Sequence, residues 1–243
     1  MFSTAEELRN LRPRARRLLA VLPHPDDESY GCAGTFKRLA ADPDAATVLF
    51  CLTRGEASKL GPARGLSAEQ VADLRTRRME EVGRILELDG LIVGDYPDGR
   101  LARCALDSVA GAIDEVLRAF RPQVVIAHDP RGVNAHGDHI AAHWALRHAL
   151  IGKQVRLAML AYPASVAEEI KPRLLFPTPE DEIDAVLHLT DDEIEAKERC
   201  LRIHEAFVTM RDAAGTLLRR PPVERYDFLG EERSPPVSDL FAP

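Results

Sequence analysis

Short, nearly unbroken apolar runs recur along the chain, each followed by a longer stretch in which apolar residues return every three or four positions. The first pattern predicts strands and the second predicts helices, and their alternation points to parallel strands joined by helical crossovers. Strands are predicted at Leu18–Leu22, Thr47–Leu52, Leu91–Val93, Val124–Ala127, Val155–Leu160 and Ala185–Leu189, each rich in Val, Leu or Ile. Helices are predicted over Cys32–Ala41, Ala68–Leu88, Ser108–Phe120, His139–Leu150 and Asp191–Phe207, with Ser67 and Thr190 as N-caps. Glu56–Gly65, the proline-bearing Pro163–Asp184 region and the tail after Gly215 lack periodicity and read as loops, with Tyr226, Phe228 and Leu229 able to dock.

The expected architecture is an α/β, Rossmann-like layered fold, a mostly parallel sheet flanked by helices. The 243 residues suit a single domain with a Pro-rich tail from about position 216. Hydrophobic residues make up 45% and charged residues 29%, an ordinary globular balance that excludes a disordered chain. A formal charge of −7, with no basic stripe, argues against nucleic acid as a partner. Cys32, Cys51, Cys104 and Cys200 are widely spaced, so neither a disulfide framework nor a thiolate metal site is written here. No export signal and no transmembrane run is found, and the cytoplasm is the expected location. Homo-oligomerisation is left open.

Ligands of open parallel sheets bind beyond the carboxyl ends of the strands. There the chain carries His24-Pro-Asp-Asp-Glu28, Thr53-Arg-Gly-Glu56, Asp95-Tyr-Pro-Asp-Gly99, and His128-Asp-Pro-Arg-Gly132 running on to His136-Gly-Asp-His139. One imidazole and three carboxylates at the exit of a buried strand call for a balancing cation. His24 and Asp27 are three apart and can point inward together, leaving Asp26 free beside the metal. A third ligand is expected from His136-Gly-Asp-His139, with His143 as a competitor; a solvated acidic helix start would leave His24 unexplained.

His24-Pro-Asp-Asp-Glu28 after a hydrophobic strand, with His136-x-Asp-His139 about a hundred residues later, resembles the LmbE/PIG-L deacetylase superfamily. Leu52-Thr-Arg-Gly-Glu56, Arg77-x-x-Glu80, Tyr96-Pro-Asp-Gly99 and Lys197…His204 extend the resemblance from about Leu18 to His204. It implies Zn2+ held by His24, Asp27 and His139, Asp26 as general base, a protonated His136 as stabiliser or acid, and Asp138 orienting His136. It also implies an N-acetylglucosamine-like sugar or glycoconjugate as substrate. Arg54, Arg77 and Asp98 are candidate pocket residues; Arg54 with Glu56 as a surface pair and Asp98-Gly99 as a plain turn are the competing readings. Two departures stand out: Gly137 replaces the usual proline and is expected to loosen the His136 loop, and Ala206-Phe207 replaces Ser-Gln. His204 is read as structural.

Other functions compete with deacetylation. A metal-dependent amidase or phosphoesterase would use the same groups, and an inactive metal-binding relative would keep the ligands. A nucleotide-binding module would need a glycine cradle after the first strand, where His-Pro-Asp-Asp-Glu stands instead.

Overall fold

The computed structural model describes residues 2–169, 175–204 and 223–243. Its strands are β1 (Arg16–Leu22), β2 (Ala45–Thr53), β3 (Gly90–Tyr96), β4 (Val124–Ala127), β5 (Arg156–Leu160), β6 (Ala185–His188) and β7 (Val223–Phe228). The helices are α1 (Ala5–Arg9), α2 (Asp27–Gly31), α3 (Ala33–Ala40), α4 (Leu60–Arg64), α5 (Ala68–Ile85), α6 (Leu106–Phe120), α7 (Gly132–Ala135), α8 (Gly137–Ala149), α9 (Ala164–Glu169) and α10 (Asp191–Ile203).

One sheet runs in the order β3-β2-β1-β4-β5-β7-β6. Its first five members are parallel, while β7 lies antiparallel to both β5 and β6. Alternate side chains of β1 and β2 enter two separate apolar cores. Leu18, Ala20 and Leu22 pack with Phe36, Met79 and Tyr226 on one face. Leu19 and Val21 pack with Ile113, Phe120 and Leu146 on the other. Burial on both faces is why these strands read as unbroken apolar runs. Ser67 and Thr190 cap α5 and α10 through complete capping boxes with Gln70 and Glu193, as their sequence spacing predicts.

Three expectations change. The Glu56–Gly65 stretch contains α4, and the Pro163–Asp184 region opens with α9. The tail is not only coil: β7 alternates half-buried and buried residues, sending Glu224, Tyr226 and Phe228 inward. An inward glutamate hides the period-two pattern. It is satisfied by Gly34 N, Thr35 and Lys197, at 3.0, 2.7 and 2.6 Å. The segment 205–207 of the expected last helix and 215–222 of the tail fall outside the described residues. All four cysteines are free. Among the described residues no helix is long and apolar enough to cross a membrane.

Consecutive strands step outward from β1 in one direction as far as β3, and the chain then returns to place β4 on the other side of β1. Helices leave β1 and β4 on opposite sides, so a crevice opens between their carboxyl ends.

On β7, burial first, then the carboxylates of Asp184 and Glu182, raise Asp227 to about 6. The folded chain therefore holds this proton more tightly than the unfolded chain. That contribution is full below about pH 4 and is lost as pH rises through about 6. Asp227→Asn keeps the neutral form at every pH. It should raise Tm by about 2–4 °C at pH 7.5 and by much less at pH 4.5. Calorimetry at the two pH values checks this, and equal shifts would contradict it.

Candidate metal centre

The loop after β1 turns back on itself: Asp27 N donates to His24 O at 3.3 Å, and His24 N donates to Asp27 Oδ2 at 2.9 Å. That reciprocal pair presents the His24 ring and the Asp27 carboxylate to the crevice. From the far side, α8 delivers His139 in its first turn. His24 Nδ1 lies 3.3 Å from His139 Nε2 and 3.4 Å from Asp27 Oδ2, and Asp27 Oδ1 lies 3.5 Å from His139 Nε2. Three corners of a tetrahedron around zinc, with bonds of about 2.0–2.1 Å, would stand about 3.3–3.4 Å apart. The donor set therefore fits a first-row divalent cation. These atoms also fall within overlapping His/Asp groups close enough to hold an ion.

Each ring is oriented from behind. His139 Nδ1 meets Gly132 O at 3.1 Å, which leaves Nε2 bare toward the crevice. His24 Nε2 faces two carboxylates, Asp98 Oδ1 and Asp138 Oδ2, each at 3.2 Å. It must carry the hydrogen, leaving Nδ1 for a cation. Burial alone would push His24 down, but Asp138, Asp27 and Asp98 outweigh it and hold it well above the ordinary range. Burial would likewise raise Asp27, yet His139, His128 and His24 hold it well below the ordinary carboxylate range. Burial, reinforced by His128, keeps His139 well below the usual histidine range. Asp27 as a carboxylate and His139 as a neutral imidazole are thus in the forms that bind a metal, whereas the three carboxylates around His24 favour a second proton that a cation at Nδ1 would have to displace.

Asp26, between the two ligands, adopts φ 110° and ψ −24° as the residue preceding α2. That region costs a non-glycine residue about 1–3 kcal/mol. Its Oδ2 accepts from Arg75 Nη2 at 2.8 Å, and the same guanidinium reaches Pro25 O and Gly55 O. Burial raises Asp26, and the Arg75 charge opposes that rise. His136 is exposed at the start of α8. Its Nδ1 accepts from Asp138 N at 3.2 Å, so a neutral ring carries its hydrogen on Nε2.

Several expected roles are corrected. Asp138 does not orient His136 with its carboxylate, which is spent on His24 and on the backbone N–H groups of Gly99 and Leu101 at 2.7 and 2.9 Å. His136 is not favoured in its protonated form: burial and the neighbouring His24 lower it. Gly137 does not set His136 adrift, because His136 caps α8. Asp98 is more than a turn residue but is not free for substrate; it holds His24 and Ala57 N at 3.2 and 2.9 Å. Glu56 accepts from Asp98 N at 2.7 Å instead of pairing with Arg54. Arg54 is engaged by Glu69 at 2.9 Å and by Asp73. Arg77 is exposed, whereas Arg75, two residues earlier on another face of the helix, is buried against the site.

Two further histidines line the site, of which His128 carried no role in the sequence reading. His128, after β4, stacks on His139 with ring centroids 3.8 Å apart and planes at 13°. His128 Nε2 lies 3.8 Å from Asp27 Oδ1, and Asp27, His128 and His139 form a second group whose ligand atoms are close enough to hold an ion. His143, the competing ligand, is buried and turns Nδ1 to His128 O at 2.9 Å, away from the triad. The polar run from His128 marks this wall in the sequence, but the stack depends on how β4 and α8 meet.

A mostly parallel sheet with a His/Asp pocket at its switch point places the chain among α/β proteins with a candidate metal site. A family model described as "PIG-L: GlcNAc-PI de-N-acetylase" matches residues 19–150, and the chain belongs to that family. A 1D-myo-inositol 2-acetamido-2-deoxy-alpha-D-glucopyranoside deacetylase from Actinosynnema mirum is 32% identical over 237 residues, 82% of this chain and 83% of that protein. The enzyme of the same name from Rhodococcus erythropolis is 34% identical over 149 residues, 53% of this chain. That match spans about half of the Rhodococcus protein, 51%. The zinc inhibited form of teicoplanin deacetylase Orf2 superposes with a TM-score of 0.70 at 14% identity, covering 87% of this chain and 97% of that one. This last likeness concerns the fold.

If Asp98 orients His24 for metal, Asp98→Asn should weaken zinc affinity by about 10–100-fold without unfolding the chain. Competition with a zinc chelator, with a melting curve alongside, measures it. Unaltered affinity would release Asp98 from this role.

Proposed function

We propose that this chain is a metal-dependent N-deacetylase acting on an N-acetylglucosamine-like sugar or glycoconjugate, with zinc as its metal, held by His24, Asp27 and His139. The observation that carries the reading is that His24 Nδ1 and His139 Nε2 stand 3.3 Å apart with the two Asp27 carboxylate oxygens 3.4 and 3.5 Å from them, one to each, and a partly exposed carboxylate, Asp26, lies between His24 and Asp27 in the loop. The names of the family and of the related deacetylases support the choice of an acetamide on an amino sugar as the bond attacked.

When bound, the metal supplies Lewis acidity, lowering the pKa of water toward about 7 and polarising the amide carbonyl. Asp26 takes the proton of the attacking water as its oxygen bonds to the carbonyl carbon. Arg75 holds one carboxylate oxygen of Asp26, which fixes the direction in which the other points. His136 donates from Nε2 to the oxygen that gains negative charge, a role the neutral ring can fill. The carbon–nitrogen bond then breaks, and Asp26 passes its proton to the departing amine. Acetate and free amino sugar result.

The site residues resist being swapped among roles. Asp27 is flanked by imidazoles and is the ligand; Asp26 is flanked by a guanidinium and is not. Asp26→Ala should therefore leave bound zinc near one equivalent while lowering turnover by about 100-fold or more. Elemental analysis with amine release from a panel of N-acetylated sugars provides both readings. Undiminished turnover would reject Asp26 as the base, and a zinc-loaded wild-type chain inactive across the panel would reject the deacetylase assignment.

A further inference from the structure

Glu28 and His204 form a pair with side chains 1% and 0% exposed, and no step of the proposed reaction uses them. His204 ends α10, and its Nε2 lies 2.8 Å from Glu28 Oε1. Ser29 Oγ donates to that same oxygen at 2.5 Å. The other oxygen, Oε2, accepts from the backbone N–H of Asp26 at 3.0 Å. A carboxylate can only accept, so His204 donates, and its hydrogen bond fixes the carboxylate that grips Asp26.

We propose that His204 is a positioning residue for Asp26, acting through Glu28; this rests on the reading of Asp26 as the base. Asp26 sits at φ 110°, and its side chain makes no capping bond to α2 that would hold it there. Its N–H is held by the Glu28 carboxylate, its C=O by the N–H groups of Ser29 and Tyr30 at 3.0 and 3.1 Å, and its side chain by Arg75 at 2.8 Å. Released from Glu28, the Pro25–Asp26 peptide keeps the Arg75 contact at Pro25 O and can tilt about it, which swings the carboxylate off its line. Asp27 does not share this dependence. It is fixed by its own two bonds to His24, at 2.9 and 3.3 Å. The clamp thus bears on proton transfer and leaves the metal ligands in place. Its far end is a residue 176 positions away in sequence.

The test compares His204→Leu, His204→Gln and Glu28→Gln with Asp26→Ala, alone and combined with His204→Leu. His204→Leu should lower kcat roughly tenfold, since a small misplacement of a reacting group is costly. KM and zinc content should stay within about twofold, the pattern of a group that acts on the chemical step alone. His204→Gln keeps an N–H donor and should recover most of the loss. In the Asp26→Ala background, His204→Leu should cost nothing further. Wild-type kcat in His204→Leu, an equal loss in both backgrounds, or loss of zinc in step with kcat would each overturn the proposal. If His204→Leu does not fold, Glu28→Gln carries the same comparison, because a carboxamide keeps the volume but cannot accept on both sides. Full activity of Asp26→Ala would refute the base assignment itself, whereas an inactive Asp26→Ala beside a fully active His204→Leu refutes only the clamp.

Discussion

A carboxylate buried among three imidazoles holds this site together. Asp27 stays ionised out of water only because His139, His128 and His24 surround it, and those rings come from opposite sides of the crevice between β1 and β4. Neither wall is complete alone. The β1 loop brings a histidine and a carboxylate already hydrogen-bonded to each other, and α8 brings the second histidine, already turned by Gly132 O. A cation bound between them would replace weak imidazole–carboxylate contacts by coordination and neutralise the charge that burial otherwise penalises.

His24 is supported both from the β3 loop and from α8, the helix that also carries His139. Asp98, after β3, and Asp138, on α8, meet at one nitrogen of His24, and Asp138 also accepts the backbone N–H groups of the loop that carries Asp98. The β3 loop is thereby tied to α8 across the top of β1. Both carboxylates are committed to His24 and to backbone N–H groups, while His136 is exposed at the rim. This is why residues that look suited to substrate in the sequence turn inward in the fold.

Legibility followed burial and locality. Strands β1, β2 and β4 are apolar on both faces, so their runs announce them. β7 alternates instead, and its inward Glu224 breaks the alternation, so only Tyr226, Phe228 and Leu229 stood out, of which Leu229 lies past the strand and is exposed. Ser67 and Thr190 were readable because a capping box is written in four residues. The ligands were readable for a similar reason: His24 and Asp27 share one turn, and His136-Gly-Asp-His139 begins one helix. Arg75 could have been found from the helix itself. Val71, Ala72, Arg75, Met79 and Val82 form the buried stripe of α5, and an arginine in that stripe signals a buried anionic or carbonyl partner, whereas Arg77 lies off it. The partners of Asp138 and Asp98 depend on how four separate elements meet, which no local pattern encodes.

The same logic separates the two halves of the His24-Pro-Asp-Asp-Glu28 loop. Its ligand half, His24 and Asp27, is locked by bonds within the loop and needs only the imidazoles opposite. Its other half, Asp26, the proposed base, sits in a backbone region that non-glycine residues avoid; its side chain is held from outside the loop by Arg75 of α5, and its N–H by Glu28, which His204 at the end of α10 contacts in turn. Strain of this kind persists only where surrounding contacts over-determine it. On the proposed reading the strained residue is the base, and α5 and the end of α10, distant in sequence, supply the side chains that hold it directly or through Glu28.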